Sequence, residues 1–112
     1  MTGRRAARAP SRHELPAIDE AALHAARLAD PVLAYCRARG EARWERVLAP
    51  IPDALRDGTL PDVRTAARAA RATFGTKDSL ADVAPAELWV PFRDALDDLI
   101  RRLARLDAER AG

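Results

Sequence analysis

The sequence predicts an all-α protein: a compact bundle or irregular array of four to five helices, closed by a long C-terminal amphipathic helix. Three observations lead there. Alanine, arginine and leucine dominate, and these side chains lose little freedom in a helix. The residues that build strands are scarce, and aromatics make up only 4% of the 112 residues. Apolar residues recur at helical spacing in segments separated by proline and glycine. The length suits a single domain, and no internal repeat is present.

Residues 1–15, MTGRRAARAPSRHEL, are basic, are interrupted by Gly3 and Pro10 and have no apolar period. They read as a disordered tail, with residues 16–112 as one helical domain. A first helix is expected from near Asp19 to about Ala29. Asp19 and Glu20 would occupy its first turn, where the helix dipole favours acids, and Ala22, Leu23 and Ala26 its inner side. Asp30 and Pro31 then read as an N-cap and first helical residue that restart a helix over Val32 to Ala38. Gly40 closes it as a C-cap.

Trp44, Val47 and Leu48 share one face of the next segment, which Pro50 and Pro52 interrupt. A turn over Asp53 to Arg56 closes at Gly58, and this irregular stretch is the place where a groove is expected. Pro61 opens the following helix with Thr59 as its cap, and Gly75 stops it after Phe74. Its inner side is Val63, Ala66, Ala67, Ala70 and Phe74, and its outer side is Arg64, Arg68 and Arg71. Asp78 or Ser79 is placed to cap one more turn.

In the last helix, Phe92, Leu96, Leu99, Leu103 and Leu106 repeat at 4, 3, 4 and 3 residues. Its acids come early and its arginines late, as the dipole prefers, and Asp97–Arg101 and Asp98–Arg102 are spaced as ion pairs. Pro91 removes a backbone donor, so the helix is expected to start afresh there rather than at Pro85, with Trp89 on the incoming turn.

Charge narrows the function. The net charge is +2, yet the first twelve residues hold Arg4, Arg5, Arg8 and Arg12 without an acid; without those four, 15 bases face 17 acids. The body is mildly acidic, so the basic balance is weak evidence for nucleic acid. One cysteine, Cys36, excludes an intrachain disulfide and fits a reducing compartment. No apolar run is long enough to span a membrane, and the N-terminal arginines lack the apolar stretch of a secretory signal. A cytoplasmic location is expected. Arginine almost entirely replaces lysine, the mark of a GC-rich bacterial genome.

The groups able to do acid–base or nucleophilic chemistry near neutral pH are His13, His24 and Cys36. His13 lies in the tail. His24 follows Glu20 by four residues, the spacing of a surface pair. Cys36 has no histidine placed to activate it and reads as buried. No metal-ligand spacing and no phosphate-binding glycine loop occurs, so no metal or other cofactor is expected.

The face of Arg64, Arg68 and Arg71, together with the basic tail, is the candidate nucleic-acid or anion site. No aromatic residue is interleaved with it, and the chain has neither asparagine nor glutamine to read adenine. Residues 74–80, FGTKDSL, resemble the FxxKxxL segment of TetR-type regulators, and DVRTAARAA resembles the first helix of their helix-turn-helix. Only three residues separate Ala70 from Phe74, where that family places its turn and recognition helix, so the resemblance implies no DNA-reading residues here.

The leading expectation is therefore a non-enzymatic interaction module, a small regulator, adaptor or accessory subunit. Its candidate contact residues are Phe92, Leu96, Leu99, Leu103 and Leu106, for a protein partner or a second copy of the chain. The same stripe would serve equally well as the protein's own core.

Overall fold

The structure, a computed structural model, describes residues 10–75 and 77–111. Five α-helices account for most of them: α1 (Pro16–Ala38), α2 (Ala42–Leu48), α3 (Ile51–Asp57), α4 (Leu60–Arg71) and α5 (Ala86–Ala111). Short 3-10 turns lie at Arg12–Glu14 and Leu80–Asp82, and no strand is present among the described residues. The all-helical fold class is as the sequence predicts.

Local chemistry explains most boundaries. At the end of α1, Gly40 takes a left-handed φ of 70°. Its amide donates to the Arg37 carbonyl, and the Glu41 amide donates to the Cys36 carbonyl at 2.9 Å. That reciprocal pattern satisfies the last carbonyls and turns the chain directly into α2. The hydroxyl of Thr59 accepts from the Asp62 amide while the Asp62 carboxylate accepts from the Thr59 amide, starting α4. Gly58, just before it, has no room for a side chain. A Cβ there would strike the Ala54 carbonyl oxygen and lie 2.7 Å from Cβ of Asp62. Ser79 starts the Leu80 turn by donating its amide to Asp82.

Both long helices overrule a local rule. The break expected at Asp30–Pro31 does not occur, and α1 runs through Pro31. Likewise α5 begins at Ala86 and runs through Pro91, so the start expected at Pro91 is wrong. Each proline deletes one backbone hydrogen bond, and each ring is exposed. A break would turn buried residues away from the core: Val32, Leu33 and Cys36 after Pro31, and Phe92, Leu96 and Leu99 after Pro91. Burying one such leucine gains about 1.5–3 kcal/mol, so several together exceed the ~3 kcal/mol cost of the proline. Asp30 caps nothing; its carboxylate accepts from Arg56 at 2.8 Å.

α1 is central, packed against α2, α3 and α5, while α4 packs between α3 and α5. α1 and α4 both run antiparallel to α5, as the approach of Leu15 to Leu106 and the pairs Arg64–Asp107 and Arg71–Asp97 require. α1 contributes a seam of small residues, Ala21, Ala22, Ala25, Ala26 and Ala29, all buried. Phe92, Leu96, Leu99 and Leu103 fill the core from α5, joined by Leu48, Leu55, Val63 and Leu80.

A turn with its own hydrogen bonds precedes α1. Residues 1–9 of the expected tail lie outside the described residues, but Ser11 to Glu14 form an ordered turn in which the Ser11 amide donates to Glu14. Arg12 pins that turn. Its Nε donates to Asp19 at 2.7 Å and its Nη1 to the Gly58 carbonyl at 2.9 Å, with only 11% of the side chain exposed.

Candidate interaction surface

The stripe on α5 faces inward. Phe92, Leu96, Leu99 and Leu103 belong to the core, and Leu106 is half-buried beside Leu15 and Ile18 of the α1 end. The face that the spacing picks out is occupied by the chain's own α1 and α4. Only the Leu106 end is left near solvent, where Arg105 and Glu109 flank it.

The arginine face of α4 is largely spoken for as well. Arg64 donates to Asp107 at 2.6 Å and holds that carboxyl below the usual carboxylate range, through a charge-assisted hydrogen bond. Arg71 donates to Asp97 at 2.6 Å and lies over the Phe74 ring. The expected pair Asp97–Arg101 is thereby replaced, whereas Asp98–Arg102 forms at 2.9 Å. Arg68 is exposed and makes no ion pair among the described residues. Two of the three guanidiniums on the candidate anion-binding face are thus neutralised from α5.

The titratable residues do not converge. Cys36 is fully buried, and burial, then the charges of Glu41 and Glu45, push its thiol pKa upward. His24 lies twelve residues earlier on α1, about 18 Å along the helix axis. It is exposed in a shallow polar groove with Glu20, Arg27, Asp98 and Arg102, and no ion pair joins it to Glu20. His13 is exposed near Arg12. Among the described residues, no three thiol, imidazole or carboxylate groups are gathered as a metal's donors would be. No described helix is long and apolar enough to cross a membrane.

A further open surface lies where residues of α2 and the end of α4 come near each other. Trp44 and Leu48 of α2 point into the core, but Val47 is 39% exposed, the one large hydrophobic side chain so placed among the described residues. It lines a shallow groove of about 260 Å³ with Arg43, Ala69, Ala72 and Lys77. The sequence groups Val47 with Trp44 and Leu48. In the fold it sits at the margin of that face, one turn from Arg43.

Arg43, Lys77 and Asp78 are the charged residues that line this groove. Arg43 lies over the Trp44 ring at 4.6 Å and Arg39 over the Tyr35 ring at 5.6 Å. Among the described residues neither makes an ion pair, nor do Arg46 and Lys77, while Glu45 is taken by Arg37 at 3.3 Å. Asp78 also makes no ion pair among the described residues. Sequence reasoning missed this cluster because its members come from three segments.

No family model, curated protein or solved structure matches this chain. Among the described residues the fold is all-helical, and its exposed Val47 sits in a shallow groove lined by Arg43, Lys77 and Asp78.

Proposed function

We propose that the protein is a non-enzymatic helical interaction module, a small regulator, adaptor or accessory subunit that acts in the cytoplasm through protein–protein contacts. The observation that carries this reading is the Val47 groove, where an apolar side chain is left uncovered while Phe92, Leu96, Leu99 and Leu103 of the α5 stripe are used inside. Its support is physical. Cys36 is shielded and too far along α1 from His24 to be activated by it, and among the described residues neither exposed histidine is held by a hydrogen bond or ion pair.

A photo-crosslinking residue placed at Val47 tests the reading in the native host, with the same residue at Arg27 on the outer side of α1 as the control. Discrete protein adducts from position 47 and none from position 27 are the expected outcome. Adducts to a second copy of the chain alone make the contact homodimeric. No protein adduct at position 47 overturns the assignment of this surface.

A further inference from the structure

Apart from the Val47 groove, we infer that Asp19 and the Gly58 carbonyl form a socket for an arginine side chain of a partner, which the chain's own Arg12 fills as an internal competitor. The geometry of an occupied socket is already displayed. Nε of Arg12 donates to the Asp19 carboxylate at 2.7 Å, and Nη1 donates to the Gly58 carbonyl at 2.9 Å. A planar fork reaches one charged and one neutral acceptor at once, which a lysine ammonium does less well.

Helix ends, rather than Arg12, give the socket its shape. Asp19 stands in the first turn of α1. Gly58 closes α3, its amide donating to the Ala54 carbonyl at 3.0 Å, and Thr59 beside it caps α4.

Charge selects a cation for this place. A groove of about 720 Å³ runs beside the socket, and its other charged side chains are Asp57, Arg56 and His13. Arg56 is engaged by Asp30 at 2.8 Å and Asp53 at 3.7 Å. His13 belongs to the same turn as Arg12 and leaves with it. With Arg12 away, Asp19 and Asp57 keep no cation of the lining to themselves. The positive end of α4 opposes a cation here, but the negative end of α3 meets it in the same loop and offsets it.

The turn that carries Arg12 is lightly held. Ser11, Arg12, His13 and Glu14 put no apolar side chain into the core. Among the described residues, the two bonds of Arg12 are the only hydrogen bonds that tie this turn to α1, α3 or α4. The third nitrogen of the guanidinium, Nη2, is sealed from solvent without an acceptor. A buried donor left unmet opposes the docked state, and release returns it to water. Leu23, Leu60 and Pro61 line the groove alongside and offer apolar surface to the chain that delivers a competing arginine.

The test uses the full chain, its R12A variant and labelled peptides read by fluorescence anisotropy. Each peptide has one central residue flanked by leucine and serine: arginine, lysine, or citrulline, the uncharged isostere of arginine. The arginine peptide is expected to bind R12A about tenfold more tightly than the native chain, because nothing then competes for the socket. The lysine peptide is expected to bind more weakly and the citrulline peptide not at all. Adding D19N to R12A is expected to abolish binding, whereas adding V47S leaves it unchanged and so separates this socket from the Val47 groove. Should R12A fail to fold, the Gly58 and Thr59 amide resonances of the native chain are the readout, expected to shift with the arginine peptide and not with citrulline.

Equal affinity of the native chain and R12A, binding of the citrulline peptide, or binding that survives D19N overturns the proposal. So does the absence of any resonance shift at Gly58 and Thr59. A native chain that sediments as a dimer and becomes monomeric in R12A would put a second copy's arginine in the socket and overturn the assignment to a partner.

Discussion

The thiol of Cys36 shows how a single residue's surroundings become a measurable property. Burial and two nearby carboxylates disfavour the thiolate, so the folded pKa stands above the unfolded one. Between those two values the unfolded chain has lost its proton and the folded chain has kept it. Stability is then fully present below the unfolded pKa and falls as pH rises through the folded one. Chemical denaturation across the alkaline range is expected to show this decline, shallower in Cys36→Ala; an equal slope in both proteins contradicts it. The buried reading of Cys36 was legible from residue type, since free cysteine favours interiors. Arg12 was not legible. Its partner Gly58 is 46 residues away, and a single long side chain leaves no period in the sequence.

Helices are where local rules meet tertiary packing. Gly40, Thr59 and Ser79 all act as the sequence says, because a cap is decided by a few neighbouring residues. Pro31 and Pro91 do not act as breaks, because their penalty is local while the burial that opposes it comes from other helices. Each proline leaves a carbonyl four residues earlier, on Arg27 and Glu87, without its helical donor. Restoring that donor with Pro31→Ala or Pro91→Ala is expected to stabilise the protein by about 1–3 kcal/mol, after the added freedom of the unfolded chain is allowed for. Urea titration decides it: unchanged or lowered midpoints in both variants would mean that the helices are bent or frayed at these sites.

Across the whole molecule, the α5 stripe is a core that thins toward the C-terminus, from Phe92, Leu96 and Leu99 at no exposure to Leu106 at the rim. Leu99→Ala is expected to cost about 2–5 kcal/mol through the cavity it opens, and Leu106→Ala under about 1 kcal/mol. Comparable losses at both positions would mean that the Leu106 end is more deeply covered than described. The spacing of this stripe was fully legible. What covers it was not, because a 4–3 period specifies a face and says nothing about whether the chain or a partner lies on it. The same holds for Arg64 and Arg71, whose acids lie 43 and 26 residues away. The Val47 groove was illegible for the related reason that α2, α4 and the Lys77 turn meet only in the fold.

The alanine seam of α1 carries one more consequence. A side chain that is already a methyl group cannot be truncated informatively, so an alanine scan would pass over the centre of this protein in silence. Its sensitivity runs the other way: adding even two methyl groups, as in Ala25→Val or Ala26→Val, overfills a space that has no slack. The residues that tolerate least would look, in the commonest survey of importance, as though they did nothing.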